Sequence, residues 1–373
     1  MPLSPALKAT LAAALLTASS LAAPAASAAV LDTDGDRLLD VWETDGYDYN
    51  RDGIIDIDFA ALGADPYRKD LFIEMDYMPD LLATEAELDT IVDTFAQMPI
   101  WNPDGSTGIT LHLDAGSIYP KYDLGGGNEM PLKALSGVAE AQTLRATQSD
   151  PARHNVFHYM IWGDNYGTGS SSGQAYVNYR TFIVTVGPTY WGKASSSIRI
   201  GTFIHELGHN LGLGHGGTDE THRKPQYMSV MNYKYQISGL RKADGSISYG
   251  YSSRTGITLD ESAVVESRGL GNASRGFQTS INGRWWTANQ GIDFDRDGVI
   301  ESEPQSIDLN GDNLISSLSS PNDLQTLRFQ VWWGNLAGLN ANAEAESEEE
   351  QLIVESNELT AEEARQLGYL PAQ

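Results

Sequence analysis

The stretch "IHELGHNLGLGH", residues 204–215, holds three of the seven histidines in the chain. His205 and His209 are four residues apart, so on a helix both imidazoles lie on one face, one turn apart. Two imidazoles placed in this way can hold one zinc ion, and Glu206 projects beside it. The spacing therefore predicts a helix that presents a metal site.

The residues that follow predict how the site is completed. Gly212 allows the chain to leave the helix in a conformation that a side chain would oppose, and His215 then supplies a third nitrogen. Three protein ligands leave one zinc position open to water, which is typical of a catalytic site. H-E-x-x-H alone occurs by chance in many helices, but the longer H-E-x-x-H-x-x-G-x-x-H run is far more restrictive. We therefore predict one catalytic zinc on His205, His209 and His215, with Glu206 as the general base.

Four aspartate-rich stretches share a second pattern. Each places oxygen-bearing side chains at positions 1, 3, 5 and 9 and an apolar residue at position 8. A tight turn with this spacing points alternate side chains at one hard cation, as in a calcium loop. The predicted calcium ligands are Asp32, Asp34, Asp36, Asp40 and Glu43, then Asp48, Asn50, Asp52 and Asp56, then Asp293, Asp295, Asp297 and Glu301, and finally Asp308, Asn310 and Asp312.

The four loops do not match the calcium pattern equally well. Glycine stands at position 6 as Gly53 and Gly298, but Arg37 and Asn313 replace it in the first and fourth loops. The first loop adds Glu43 at position 12, where a bidentate carboxylate sits in such loops. Solvated Asp/Asn/Gly turns are the alternative. Four loops in two close pairs favour several structural calcium ions.

Composition limits the class of protein. The 373 residues include 24 basic and 50 acidic side chains, a net charge of −26, and no cysteine. This charge argues against a nucleic-acid or anionic-membrane partner, because both need a basic face. Residues 1–28 have a lysine, an apolar run and a terminal "ASA", which predicts a signal peptide and a secreted protein. A membrane anchor is the alternative, but the apolar run is short and interrupted.

Between the two pairs of loops, strand and helix patterns alternate. Residues 84–98 have apolar side chains at helical spacing, and Thr84 with Glu87 predicts a capping box at the start. Strands are predicted over residues 67–78, 108–116, 155–163 and 179–187. The order of elements predicts an α+β fold with a mixed α/β sheet. The last strand is a candidate edge along which a peptide lies extended.

A methionine-containing stretch follows the zinc motif. It reads "YMSVMNY", residues 227–233, and Met231 is followed two residues later by Tyr233. With the zinc motif, this stretch resembles the metzincin clan of zinc endopeptidases, and in particular secreted bacterial metalloproteases with a serralysin/astacin-like methionine turn. The resemblance covers residues 65–333. It implies a twisted, mostly parallel sheet, a turn with Met231 beneath the zinc, and a Tyr233 that contacts the zinc or the oxyanion.

The resemblance and the loops together predict an organisation. We expect a signal peptide at 1–28, calcium-loop segments at 29–64 and 276–336, a catalytic domain at 65–275 and an acidic tail at 337–373. The tail is of low complexity and need not fold, apart from one short helix over residues 360–370. The absence of cysteine excludes a cysteine-based latency switch, so the activation route stays open.

The predicted function is a secreted, monomeric zinc endopeptidase that hydrolyses peptide bonds in proteins through a zinc-activated water and a glutamate general base. Its partners are protein or peptide substrates, not nucleic acid or membrane. One alternative is a calcium-dependent adhesion or carbohydrate-binding protein with a relic zinc site, against which the intact Glu206 speaks. A second is a zinc hydrolase acting on a non-peptide bond.

Overall fold

The computed structural model describes residues 31–281, 283–329, 352–355 and 358–371. The predicted signal peptide and residues 337–351 of the predicted tail lie outside the described residues. Within the described chain, no helix combines the length and the apolar character needed to cross a bilayer.

The helices and strands follow one another in a mixed order. The helices are α1 (Asp40–Asp45), α2 (Phe59–Leu62), α3 (Glu85–Ala96), α4 (Val138–Gln148), α5 (Pro188–Trp191), α6 (Ser196–Asn210) and α7 (Ala361–Gln366). The longer strands are β1 (Asp70–Tyr77), β2 (Thr110–Asp114), β3 (Phe157–Trp162), β4 (Gly173–Tyr176) and β5 (Thr181–Val184). The shorter strands are β6 (Leu240–Arg241), β7 (Ile247–Ser248), β8 (Leu259–Asp260), β9 (Gln278–Ile281), β10 (Arg284–Thr287), β11 (Ser317–Leu318) and β12 (Val354–Glu355).

The main sheet has the order β12-β4-β5-β3-β1-β2. Strands β2, β1, β3 and β5 are parallel, whereas β4 pairs antiparallel with β5 and β12 pairs antiparallel with β4. All eight residues of β1 are buried, as expected of a central parallel strand that is covered on both faces. The mixed α/β fold with a mostly parallel sheet is confirmed.

The predicted peptide-binding edge is wrong. The strand predicted over residues 179–187 is β5, and it lies inside the sheet between β3 and β4. The intervening strand β4 has the sequence "GQAY", which is too short and too rich in small residues to show a strand pattern. Strand β4 therefore lies outside β5, and its outer side pairs with β12.

Two predicted helices support the sheet. Helix α3 begins at Thr84 with the predicted capping box, in which Thr84 and Glu87 each satisfy the other's backbone N–H. Helix α6 begins after Ser195, whose hydroxyl accepts a hydrogen bond from the Ile198 N–H. Both helices contact each other and the sheet, and Leu88 and Phe203 are fully buried there.

The segments with aspartate loops share apolar clusters with the rest of the chain. Phe59, just after the second loop, packs against Phe72 of β1 and Phe157 of β3, with ring centroids 5.0 and 6.4 Å away. Burying one such side chain stabilises the fold by about 1.5–3 kcal/mol. After the zinc motif, Met228 and Phe294 belong to a second such cluster. These contacts attach the loops to the sheet and to the region after α6.

Candidate metal centre

Helix α6 and the turn after it bring the three predicted histidines together. His205 and His209 lie on α6, and His215 follows Gly212, whose φ of +86° lets the chain turn back. The three side chains are at most 1 % exposed. The Nε2 atoms of His205 and His209 are 3.1 Å apart. Ligand nitrogens of all three rings lie within 4.8 Å of one another, so one ion can contact all three.

Hydrogen bonds on the far side of the rings fix their tautomers. Nδ1 of His205 lies 2.8 Å from the Val230 carbonyl oxygen, and Nδ1 of His209 lies 2.7 Å from that of Leu213. A carbonyl only accepts, so each Nδ1 carries a proton, and in the neutral ring that binds a metal each Nε2 then presents its lone pair. Burial lowers the pKa of His215 to about 3, which keeps that ring neutral as well. Neutral imidazoles oriented in this way are zinc ligands.

A carboxylate from the end of the chain completes the cluster. Glu358 lies with one oxygen 3.0 Å from His205 Nε2 and the other 3.2 Å from His209 Nε2 and 3.3 Å from His215 Nε2. Its side chain is fully buried. Together, the three imidazoles and this carboxylate offer ligand atoms within 4.8 Å of one another. Three nitrogens and one oxygen fit the ligand types and the four-coordination of zinc.

Glu206 lies beside the histidines and not among them. It is fully buried, and neither of its oxygens has a hydrogen-bond partner among the described residues. Burial first, and then the nearby charges of Glu358 and Glu355, raise the pKa of Glu206 well above its ordinary value. A Cβ added at Gly173 would lie 2.3 Å from Oε1 of Glu206, so β4 begins directly against this carboxylate. A buried carboxylate without a partner marks a place for a polar ligand.

The stretch after the zinc motif passes under α6. Met231 is fully buried, and its sulfur would lie 2.3 Å from a Cβ at Gly208. Glycine is therefore needed at that helix position although it disfavours a helix. The phenolic oxygen of Tyr233 lies 3.1 Å from His215 Nε2. Burial, with the charges of Glu358 and Glu206, raises the pKa of Tyr233, so its hydroxyl keeps its proton and can donate it in a hydrogen bond.

Comparison with protein families supports the same chemistry. Residues 102–216 match the metallo-peptidase family M12B, reprolysin-like, and the match ends one residue after His215. The chain is a zinc metalloendopeptidase. The match agrees with the metzincin resemblance at the level of the clan, whereas the closer likeness to serralysin-like and astacin-like enzymes stays a prediction. A comparison with curated proteins finds no match.

The four aspartate loops of this metalloendopeptidase adopt one backbone conformation. In each, the side chain at position 1 accepts hydrogen bonds from the N–H groups of positions 4 and 6. The residues at these two positions all have φ between 61° and 93°. They are Gly35 and Arg37, Arg51 and Gly53, Arg296 and Gly298, and Gly311 and Asn313. Arg37 and Asn313 thus adopt the conformation for which glycine was expected.

In all four loops, the side chains at positions 3 and 5 accept hydrogen bonds from the N–H two residues later. The acceptors are Asp34, Asp36, Asn50, Asp52, Asp295, Asp297, Asn310 and Asp312. At position 9 the loops differ. Both oxygens of Asp40 accept from Thr33, and Asp56 accepts from the Tyr49 N–H. One buried oxygen of Glu301 has no hydrogen-bond partner in the described ranges.

Two carboxylates that sequence reasoning missed join these loops. Asp70, the first residue of β1, groups with Asp36 and Glu43, and Glu266 groups with Asp293 and Asp295. Within the residues that the structure describes, both oxygens of the buried Glu43 lack a hydrogen-bond partner. Burial, together with neighbouring aspartates, raises the pKa of Glu43 to about 9. A cation in this cluster would favour the ionised form of Glu43 and balance its buried charge.

Proposed function

We propose that the chain is a secreted endopeptidase in which Glu206 carries the proton between water and the leaving amine. The main support for the proposal is a buried carboxylate that has no partner in the described part of the chain and lies next to three imidazoles with converging Nε2 atoms. When bound, zinc supplies Lewis acidity, which polarises the scissile carbonyl and lowers the pKa of a water ligand to about 7. The reprolysin-like match over residues 102–216 supports this assignment.

The residues around the metal centre have separate roles in the reaction. Glu206 takes a proton from water as the water attacks the carbonyl carbon, and then gives that proton to the departing amine. Tyr233 donates a hydrogen bond to the oxygen on which negative charge develops. The outer edge of β4, which begins at Gly173 against Glu206, binds the substrate as an added strand.

Secretion rests on the predicted signal peptide over residues 1–28. The match to a peptidase family covers residues 102–216 and is independent of that segment, so export needs its own test. We expect the mature chain in the culture medium to begin at Ala29, as N-terminal sequencing of the purified protein would establish.

A peptide-library digest with mass-spectrometric readout tests the activity. The expected result is cleavage inside peptides that stops when a zinc chelator is added and resumes when zinc is restored. Cleavage of ester or amidase substrates in place of peptides would favour the zinc hydrolase alternative. Tight glycan binding without any cleavage would favour the adhesion alternative.

Replacing Tyr233 with phenylalanine is expected to lower kcat about 3–10-fold, the equivalent of one hydrogen bond of about 1 kcal/mol. KM and zinc content should not change, because the ring still packs against His215, 4.5 Å from its centroid. Tyr235→Phe is the matched control, since its hydroxyl donates to the Pro225 carbonyl oxygen. An equally large loss of kcat in Tyr235→Phe would mean that the Tyr233 hydroxyl has no specific role in the reaction.

The four aspartate loops are proposed to bind structural calcium. Their shared backbone conformation supports all four, including the first and fourth, which lack glycine at position 6. The unpartnered oxygens of Glu43 give the first loop additional support. A chain without cysteine has no disulfides to stabilise it outside the cell, and bound cations would supply part of that stability.

Removing calcium is expected to lower the melting temperature while zinc stays bound. Extracellular calcium sites bind at about 10⁻⁴–10⁻³ M, so four sites at millimolar calcium stabilise the fold by about 2–6 kcal/mol in sum. For a chain of this size the shift is on the order of 3–9 °C. Calorimetry with and without a calcium-selective chelator measures it. An unchanged melting temperature would leave the loops as ordinary turns.

Single variants identify which loops account for the calcium-dependent shift in melting temperature. Asp295→Ala and Asp52→Ala should each reduce the calcium-dependent part of the shift. Asp244→Ala is the matched control, because Asp244 also accepts from the N–H two residues later but lies outside the loops. Its effect on the melting temperature should be the same with and without calcium.

A further inference from the structure

The end of the chain lies along the outer edge of β4. We call residues 352–355 and 358–371 the C-terminal segment. Strand β12 pairs antiparallel with β4, and the Val177 N–H donates to the Ile353 carbonyl oxygen at 2.8 Å. Beyond Glu358, the Ser172 N–H donates to the Leu359 carbonyl oxygen at 2.8 Å. The segment therefore binds β4 on both sides of Glu358.

Apolar burial holds the rest of the C-terminal segment in place. Leu359, Ala361 and Ala364 are fully buried. Helix α7 begins with a capping box at Thr360, and Glu363 in that box also accepts from Arg223 at 2.7 Å. The sequence predicted the helix but also predicted a solvated tail. The described part of the tail is instead folded, because the free edge of β4 and an apolar surface bind it.

The surroundings of Glu358 indicate what balances the charge of its carboxylate. Burying an ionised carboxylate costs free energy unless a cation or hydrogen-bond donors balance its charge. Its neighbours at 3.0–3.3 Å are Nε2 atoms of three histidines, two of which hold their proton on Nδ1. In their neutral form those two rings have no proton on Nε2 to donate to the carboxylate, and a metal ion held between the three Nε2 atoms and Glu358 would balance its charge.

We propose that Glu358 is a fourth, displaceable protein ligand of the zinc, and that the C-terminal segment is an internal inhibitor bound in the substrate's place. The inhibitory role rests on the proposed function, whereas the assignment of Glu358 as a ligand does not. With Glu358 bound, the zinc position that a water needs is filled. The backbone groups of Ser172 and Val177 that an extended substrate would use are also taken. The segment must leave, or be removed, before the enzyme reaches full activity.

Cobalt exchange in the full chain tests the ligand assignment without depending on catalysis. Cobalt(II) absorbs visible light according to the number and type of its ligands. We compare the native chain with Glu358→Gln and with Glu362→Gln, a matched control on the exposed side of the same segment. The native and Glu362→Gln spectra should coincide and should resist added azide, whereas Glu358→Gln should differ and should change as azide fills the vacated position.

A second variant displaces the segment and leaves Glu358 in the sequence. Ala364→Arg puts a large charged side chain where the alanine is fully buried. Its cobalt spectrum should acquire the azide response of Glu358→Gln. The control is Leu367→Arg, at a position of the same segment that is 45 % exposed, and it should behave as the native chain does.

Peptide-library cleavage is measured on the same proteins. Cleavage by Ala364→Arg should be at least about tenfold faster than by the native chain, since activity scales with the fraction of chains whose site is free. Glu358→Gln leaves the segment on β4, so its cleavage rate should fall between the two. Identical cobalt spectra and azide responses in native and Glu358→Gln chains would overturn the inference, whatever the activity. A changed spectrum with no cleavage by any variant would uphold Glu358 as a ligand and refute the peptidase function instead.

Discussion

Glu206→Gln is expected to lower kcat by about 10²–10⁴-fold while zinc content stays at one per chain. The amide keeps the shape of the side chain but cannot take the proton from water. Neither oxygen of Glu206 has a protein partner, so the substitution breaks no hydrogen bond of the described chain. Zinc analysis and peptide cleavage measure the two effects separately. Ala364→Arg is the preferred background, because its cleavage rate should be the highest.

A carboxylate nearby provides the control for a general loss of negative charge. Glu220 has a side chain that is 66 % exposed, with one oxygen 3.6 Å from His215 Nδ1. Glu220→Gln should change kcat by less than about threefold, because an exposed charge near the centre is screened by water. Residual activity of Glu206→Gln above roughly a tenth of its background would mean that another group carries the proton.

Local patterns were sufficient for the parts of the site that lie close together in sequence. The spacing of His205, His209 and His215 predicted one cluster, because helix geometry and one glycine determine where those rings lie. The capping box at Thr84 was visible for the same reason. Such features depend on fewer than about a dozen consecutive residues, so the sequence pattern contains the necessary information.

Features that depend on distant pairing could not be predicted. Strand β4 has four residues, and only its pairing with β5 shows that β5 is not an edge. Glu358 is one acidic residue in an acidic tail, 143 positions from His215, and no spacing rule connects them. A weak signal was present in the capping box at Thr360, which indicated ordered chain within a stretch of polar composition.

The four aspartate loops are an intermediate case. Ligand spacing predicted the loops, but the absence of glycine at position 6 suggested that the first and fourth loops differ from the others. The structure gives Arg37 a φ of 79° and Asn313 a φ of 64°. Asn tolerates this region better than most residues, whereas Arg does so at some cost. Hydrogen bonds from their N–H groups to Asp32 and Asp308 offset that strain.

His215→Ala is expected to weaken zinc binding by more than about 100-fold, since changes that only touch a ligand's hydrogen-bond partner already cost 10–100-fold. Competition with a chromogenic chelator measures the affinity, and peptide cleavage should be lost with the metal. His222→Ala is the matched control. Its ring lies 5.0 Å from that of His215 and stacks on Tyr233, but His222 is not in the group with the other three histidines.

The same titration separates the histidines from Glu358. His215→Ala leaves His205, His209 and Glu358 within reach of one ion, so residual zinc binding should fall further in the double variant with Glu358→Gln. Equal affinity in the single and double variants would mean that Glu358 does not bind the metal. Native affinity in His215→Ala would refute the three-histidine centre. A loss in His222→Ala as large as in His215→Ala would make His222 a ligand, because only direct coordination accounts for an effect of that size.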